Sequence, residues 1–252
     1  MPVWNGCRNG NDSFLRMAIE SITHQTFDDF EFVIVDDGSR DDTPRILELY
    51  KSKDPRIKII TLQDNGGIVN ALNVGLEQCE AKYVARQDAD DISTVTRLEI
   101  EKEFLDNRPE TALCGTGMYV INSEGKLVME INDRPCAYPV VRESLKTCCV
   151  FVHGSVMFRK SAVIDVGKYS TDPRFKHAED YELWVRLAKD YVVENIPGKT
   201  LYYHRDHASK IGHVYSGQQE TASRLIMSIA RQTLTNPYVT KQIPPPQKKT
   251  DK

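Results

Sequence analysis

Three carboxylates lie within four residues at Asp88-Ala89-Asp90-Asp91, directly after the segment 82–87, which has the composition of a short strand. Carboxylates this close repel one another, so a cation or a ring of hydrogen-bond donors is needed to keep them ionised together. Oxygen ligands with little sulfur or imidazole suit Mg²⁺ or Mn²⁺, and such ions usually also hold substrate phosphates. The tetrad therefore predicts a divalent-metal site, with an acidic surface turn as the alternative.

Two other carboxylate positions could take part in this chemistry. Asp37 follows the apolar run 31–35 and could accept hydrogen bonds from a base N–H or a ribose hydroxyl, although Asp-Gly after a strand is also common turn chemistry. Asp180 begins a helical stripe that continues through Leu183 and Trp184, which places it near the interior at a helix N-terminus. There it is either a helix cap or a general base that removes a proton from an attacking hydroxyl.

Strands and helices alternate along the first half of the chain and position these carboxylates. The predicted order is strand 31–35, helix 43–53, strand 57–62, helix 68–79, strand 82–87 and helix 95–106. Such alternation predicts an α/β fold with a mostly parallel sheet and helices on both faces. Because ligands bind beyond the carboxyl ends of the strands in such sheets, the acidic clusters at 36–37 and 88–91 should face one crevice.

The second half is less regular. It predicts strands at 112–121, 155–158, 191–196 and 201–204, and helices at 180–189 and 217–233. The last segment, 236–252, contains three consecutive prolines followed by lysines, which predicts a disordered tail.

Bulk composition excludes some classes of function. The 252 residues carry a net charge of −3, which gives no reason to expect nucleic acid as a partner. The six cysteines show no CxxC spacing, so a disulfide framework is not expected. We expect reduced thiols in a cytosolic compartment. No apolar run approaches the roughly 18 residues of a membrane span, and no signal-peptide pattern is present. We therefore expect a cytoplasmic protein.

The order and spacing of several short motifs resemble the family 2 glycosyltransferases, inverting enzymes with the Rossmann-like GT-A fold, a mixed α/β sheet with helices on both faces. The resemblance covers residues 1 to about 213, and each motif is weak alone. The motifs are Pro2-Val3-Trp4-Asn5-Gly6, Ala18-Ile19-Glu20-Ser21-Ile22 with Gln25-Thr26-Phe27, Phe32-Val33-Ile34-Val35-Asp36-Asp37-Gly38-Ser39, Asn65-Gly66-Gly67, Asp88-Ala89-Asp90-Asp91 with Arg97-Leu98-Glu99, His153-Gly154-Ser155-Val156-Met157-Phe158-Arg159 and His177-Ala178-Glu179-Asp180-Tyr181.

The resemblance implies a role for each matched donor-site position. Asp37 would accept from the uracil or other base of a nucleotide-sugar, with Pro2 and Asn5 lining the same pocket. Asp88 would contact the ribose, and Asp90 would bind the Mn²⁺ or Mg²⁺ that bridges the diphosphate. The family also implies one domain at 1–235, with a nucleotide-binding half at about 1–110 and an acceptor half at about 111–235.

His207 matches a position where some members add a metal or phosphate contact. On the acceptor side, Asp180 would deprotonate the acceptor hydroxyl. The implied reaction moves a sugar, with a UDP-sugar as the expected donor, to a glycan, lipid-linked or other hydroxyl acceptor. One metal-holding loop and one separate carboxylate suffice for a single displacement with inversion. Similar enzymes often work at a membrane surface, so peripheral membrane association is compatible with the expected cytoplasmic location.

The N-terminal segment departs from the family pattern. Family members have an apolar strand of about five residues before the segment that here reads Pro2-Val3-Trp4-Asn5. Met1 stands where that strand should be ending, so we expect the first strand to be missing or truncated, and an incomplete N-terminus rather than an inactive protein. Its loss would expose neighbouring strand edges and remove part of the nucleotide pocket. The loop 7–13 also looks longer than usual and could change donor choice.

Three functional hypotheses remain open at this point. The first is a metal-dependent glycosyltransferase. The second is a catalytically inactive domain that binds a nucleotide-sugar or a partner, which the short first strand would favour. The third is a phosphoryl-transfer enzyme with an aspartate nucleophile, which is disfavoured because its acidic pair should follow the first strand.

Overall fold

The N-terminal part of the chain forms a parallel three-stranded sheet in the order β1–β2–β3. These strands are β1 (Pro2–Val3), β2 (Phe32–Asp36) and β3 (Ile57–Thr61) in a computed structural model that describes residues 1–7, 12–207, 210, 214–236, 239 and 241–245. All five residues of β2 are buried, as expected for a parallel strand covered on both faces.

Three helices cover the two faces of this sheet. They are α1 (Ser13–Thr23), α2 (Thr43–Lys51) and α3 (Ile68–Gln78). Because side chains alternate along a strand, Ile34 packs into the cluster formed with α1 and α2, whereas Val33 and Val35 pack against Ala71 of α3. The apolar spacing of each helix therefore fixes which face of β2 it covers.

The rest of the chain forms a mixed sheet in the order β4–β8–β6–β9–β5, with β7 paired to β6. The strands are β4 (Tyr83–Ala85), β5 (Ile92–Ser93), β6 (Thr111–Ile121), β7 (Leu127–Ile131), β8 (Met157–Arg159) and β9 (Val192–Arg205). The pair of β6 and β9 is parallel, and the other pairs are antiparallel. The mostly parallel sheet predicted from the first half of the chain therefore holds for β1, β2 and β3 but is wrong for β4, which pairs antiparallel with β8, and a mixed sheet is confirmed.

Five further helices follow α3 in the part of the chain that the structure describes. They are α4 (Arg97–Asp106), α5 (Tyr138–Ser144), α6 (Lys160–Asp165), α7 (Glu179–Asp190) and α8 (Ser216–Thr233). Leu183, Trp184 and Leu187 of α7 are fully buried, in agreement with the predicted apolar stripe. Replacing a buried tryptophan of this kind with alanine costs roughly 3–5 kcal/mol.

One prediction of strands needs correction. The segments 191–196 and 201–204 are not two strands but parts of the single strand β9. Pro197-Gly198 looks like a turn in the sequence, but Gly198 takes a positive φ of 62° and the chain continues along β6 with register shifts. The sequence did not predict α1, α5, α6, β5 or β7.

The first strand, β1, is two residues long. It contains Pro2 and Val3, which pair with Val35 and Asp36 of β2. Beside it lies an apolar cavity of about 410 Å³, lined by residues of β2, α3 and β4. The Met1 amine donates to the Val33 carbonyl at 2.8 Å, and burial lowers the pKa of this amine to about 5. In the described residues no strand joins β2 to β4.

The predicted disordered tail, 236–252, lies largely outside the described residues, as does most of the loop 7–13. In the described part of the tail, Lys241 Nζ contacts Asp165 Oδ2 at 2.6 Å, and Ser161 Oγ donates to the Pro244 carbonyl at 2.8 Å. This part therefore contacts the domain. No helix in the described ranges is long and apolar enough to cross a membrane.

Candidate active site

A cleft of about 1100 Å³ opens where the carboxyl ends of β1, β2 and β4 face the N-terminus of α7. Its lining includes every residue that the sequence predicted for the site: Pro2, Asn5, Asp37, Asp88, Asp90, Asp180 and His207. The expectation that the two acidic clusters face one crevice is therefore confirmed, although the crevice lies between two sheets rather than along one.

At one end of the cleft, Asp37 organises the loop that precedes α3. Its Oδ1 accepts from the Gly66 N–H at 2.9 Å and its Oδ2 from the Gly67 N–H at 2.8 Å. Gly67 has a φ of 82°, which favours glycine. Each carboxylate oxygen has a second acceptor position, so Asp37 can still accept an N–H from a ligand.

Asn5 connects the end of β1 to the loop after β2. Its backbone N–H donates to Ser39 Oγ at 2.8 Å, and its Oδ1 accepts from the Arg40 N–H at 2.9 Å. Asn5 itself has a φ of 48°, a left-handed conformation that asparagine tolerates better than most residues. Next to it, Trp4 is 46% exposed and lines the cleft.

Asp88 is held by an arginine that the sequence analysis did not single out. Arg86 forms an ion pair with Asp88 Oδ1, and the Asp88 N–H donates to the Tyr202 hydroxyl at 3.2 Å. Burial by itself raises the pKa of Asp88, but the positive charge of Arg86 outweighs it and holds this pKa well below its usual range. A Cβ at Gly154 would overlap the Tyr202 hydroxyl, which explains glycine at that position.

Asp90 and Asp91 point in different directions. Asp90 Oδ2 lies 2.9 Å from His207 Nε2 at the edge of the cleft. Asp91 is fully buried, and its Oδ1 accepts from the Arg205 N–H at 2.7 Å and from Lys210 Nζ at 3.2 Å. Asp91 therefore ties the tetrad to the end of β9, and Asp90 is the carboxylate available to a ligand.

The donor set at Asp90 fits a divalent cation that is bound mainly by its substrate. In the described part of the chain no group of three or more histidine, cysteine, aspartate or glutamate side chains could enclose a metal ion. However, Mg²⁺ commonly takes only one or two protein ligands and completes its shell with phosphate oxygens and water. A carboxylate oxygen and an imidazole nitrogen 2.9 Å apart at the cleft edge suit that arrangement.

The opposite side of the cleft is the first turn of α7, where Asp180 and Glu179 are adjacent. Burial raises the pKa of Asp180, and the N–H groups of the first turn partly oppose this. Glu179 is 6% exposed; burial and then the charge of Asp180 raise its pKa to about 7. The sequence analysis did not select Glu179 because a neighbour at i−1 does not share the helix face of Asp180.

Two histidines complete the wall of the cleft. His153 Nε2 lies 2.9 Å from the Tyr169 hydroxyl, and burial lowers the pKa of His153 well below its usual value. The His177 ring stacks on Tyr215, with ring centroids 4.3 Å apart. Both histidines belong to motifs of the family resemblance, which was the signal that could have identified them.

The raised pKa of Glu179 predicts a pH-dependent stability effect. Its pKa is near 4.5 in the unfolded chain and about 7 in the folded one, so its favourable contribution is lost as the pH rises through this window. We compare the free energy of unfolding of Glu179→Gln with that of wild type. This difference should be about 1–3 kcal/mol more favourable to the variant at pH 8 than at pH 5. Urea denaturation at both pH values measures this.

Glu103→Gln, which changes an exposed glutamate on α4, is the matched control. Its difference from wild type should be the same at pH 5 and pH 8. A constant difference for Glu179→Gln as well would show that Glu179 titrates normally in the folded protein.

The fold and the acidic cleft together define the class of GT-A glycosyltransferases. The family model for glycosyl transferase family 2 matches residues 1–167. The chain therefore belongs to glycosyl transferase family 2, an enzyme family.

Known proteins agree with this assignment. The O-antigen biosynthesis glycosyltransferase WbnJ of Escherichia coli is 30% identical over 183 residues, which are 71% of this chain and 68% of WbnJ. S. aureus TarS 1–349 in complex with UDP-GlcNAc has a TM-score of 0.71 at 22% identity, covering 92% of this chain and 68% of TarS 1–349. The mannosyltransferase PcManGT of Pyrobaculum calidifontis, in complex with GDP-Man and Mn²⁺, has a TM-score of 0.69 at 17% identity, covering 97% of this chain and 64% of PcManGT.

Proposed function

We propose that this chain is an inverting, metal-assisted glycosyltransferase that moves a sugar from a nucleotide-sugar, with UDP as the expected nucleotide, to an acceptor hydroxyl. The observation that carries the proposal is that one cleft is lined by Asp37, Asp88 and Asp90 on one side and by Asp180 on the other. A single displacement needs these two sides, one for the leaving group and one for the nucleophile.

At the nucleotide end, Asp37 would accept an N–H of the base with the acceptor positions that Gly66 and Gly67 leave free. Pro2 and Asn5 line the same end, and the exposed ring of Trp4 offers a surface on which a base can stack. Asp88, kept ionised by Arg86, would accept from a ribose hydroxyl. The UDP-GlcNAc and GDP-Man complexes of the similar structures support a nucleotide-sugar donor.

At the diphosphate, Asp90 and His207 would hold Mn²⁺ or Mg²⁺ together with the phosphate oxygens. When bound, the ion supplies Lewis-acid stabilisation of the charge that develops on the leaving diphosphate. The Mn²⁺ in the mannosyltransferase complex supports this role.

On the acceptor side, Asp180 would take the proton of the attacking hydroxyl. Burial raises the pKa of Asp180, which makes this carboxylate a stronger base than an exposed one. Attack opposite the leaving group inverts the anomeric carbon. The acceptor is proposed to be a glycan, a lipid-linked sugar or another hydroxyl compound, and peripheral membrane association stays part of the proposal. The O-antigen role in the name of WbnJ supports a glycan.

A catalytically inactive binding domain is the second candidate function. It is favoured by the two-residue β1 and the apolar cavity next to it, because Pro2 lines both this cavity and the cleft. A nucleotide end bordered by so short a strand could bind a donor without aligning it for transfer.

Calorimetric titration with UDP and Mn²⁺, together with a product assay, separates the two candidates. The glycosyltransferase proposal predicts Mn²⁺-dependent UDP binding and consumption of at least one common sugar donor. Binding of UDP without transfer or donor hydrolysis across UDP-glucose, UDP-galactose, UDP-GlcNAc and GDP-mannose would contradict it.

A further inference from the structure

Arg86 is a buried arginine with hydrogen-bonding capacity that the described residues leave partly unused. Its backbone N–H donates to the Val156 carbonyl at 2.9 Å, which continues the ladder between β4 and β8 by one residue and fixes its position. The residue is 5% exposed and lines the cleft. The guanidinium contacts Asp88 Oδ1, whereas Nε has no hydrogen-bond partner among the described residues. A buried guanidinium N–H without a partner is costly, which indicates that a ligand supplies one.

Arg86 lies between the donor side and the acceptor side of the cleft. On the donor side it holds Asp88. On the acceptor side, burial raises the pKa of both Glu179 and Asp180, and the charge of Arg86 opposes this increase at both carboxyls. The same charge, after the larger effect of burial, lowers the pKa of His153.

The geometry of a single displacement indicates which part of the substrate lies next to Arg86. The anomeric carbon must lie between the leaving diphosphate, near Asp90, and the attacking hydroxyl, near Asp180. A hydrogen-bond donor on the protein that lies between Asp88 and Asp180 therefore faces the transferred sugar rather than the base or the acceptor. Sugar hydroxyls are acceptors that a guanidinium N–H can bind directly.

We propose that Arg86 is a specificity-determining residue that donates from its Nε edge to a hydroxyl of the transferred sugar while its ion pair with Asp88 fixes the guanidinium. This inference rests on the proposed function and deepens its donor site. A diphosphate oxygen could take the same N–H, so the test separates the sugar from the diphosphate.

Arg86→Lys is the informative variant because it keeps the positive charge beside Asp88 but removes the planar guanidinium and its Nε–H. With Mn²⁺ present, we expect Arg86→Lys to bind UDP within about twofold of wild type and to lose about tenfold or more in kcat/KM for the sugar nucleotide that wild type prefers. UDP binding also shows that the variant is folded. Equal losses for UDP and for the sugar nucleotide, or no loss for either, would overturn the proposal.

Arg159→Lys is the matched control. Arg159 is a buried arginine on the neighbouring strand β8, where Nε donates to the Thr111 carbonyl at 2.8 Å and Nη2 to the Leu105 carbonyl at 2.7 Å, away from the cleft. This variant can lose stability. The ratio of its kcat/KM for the sugar nucleotide to its UDP affinity should nevertheless equal the wild-type ratio. A change in that ratio as large as for Arg86→Lys would contradict a specific role for Arg86.

A second arm uses the wild-type chain and does not depend on the folding of a variant. Donors that lack one hydroxyl of the preferred sugar are compared, and one of them should lose about tenfold or more in kcat/KM. In Arg86→Lys, the kcat/KM for the same deoxy donor should be little lower than the kcat/KM for the complete donor. If wild type discriminates against none of them, the proposal fails. If wild type neither binds nor consumes any nucleotide-sugar, the proposed function itself fails and this inference falls with it.

Discussion

Asp180→Asn is expected to abolish sugar transfer, with kcat falling by about 10²–10⁴-fold, and to leave UDP affinity nearly unchanged. Asparagine has almost the same shape but cannot accept the proton of the attacking hydroxyl. The side chain belongs to the first turn of α7 and not to the loops that carry Asp37 and Asp90, so the nucleotide end should be undisturbed. Initial rates with a sugar nucleotide and calorimetry with UDP and Mn²⁺ measure the two effects.

Asp190→Asn, at the other end of α7, is the matched control, because Asp190 does not line the cleft. It should keep the wild-type transfer rate. The wild-type rate should also decrease at acid pH as Asp180 becomes protonated, at a higher pH than for an exposed aspartate because burial raises its pKa. A large loss of UDP affinity in Asp180→Asn would mean that Asp180 has a structural role instead.

Asp90→Asn is expected to remove the metal dependence of nucleotide binding. Its UDP affinity in Mn²⁺ should fall to about the value that wild type shows in EDTA, and transfer should stop, because the neutral amide is a poor ligand for a hard cation. His207 alone, 2.9 Å from Asp90 Oδ2, would not hold the ion in this account.

The control for this variant is Asp42→Asn, an exposed aspartate before α2 that pairs with Arg45. It should bind UDP with the same Mn²⁺ dependence as wild type. If Asp90→Asn retains that dependence as well, Asp90 is not the metal ligand, and another carboxylate must hold the ion.

The positions of the site residues were largely predictable because these residues lie at the ends of strands and helices. Asp37 and Asp88 come after apolar runs that are strands, and Asp180 comes before an apolar helical stripe, so local patterns placed all three in one cleft. Their roles in binding and catalysis remain predictions.

Features that depend on long-range packing were not predictable in the same way. The ion pair of Arg86 with Asp88 required β4 to end in a closed cleft, and the sequence alone shows only an arginine in a strand. The strand β9 was predicted as two strands. Pro197-Gly198 lies between them, and pairing along β6 continues on both sides of this pair with register shifts. Short helices such as α6 are too brief to show a helical period.

The proposed reaction is a single displacement between a metal-bound donor and an acceptor oxygen activated by Asp180. Proton NMR of the first product formed from an α-linked UDP-sugar, by transfer or by hydrolysis and before mutarotation, tests it most directly. We expect this product to be the β-anomer and to form only when Mn²⁺ or Mg²⁺ is present. An α-anomer as the first product, or no consumption of any donor by the folded chain, would contradict it.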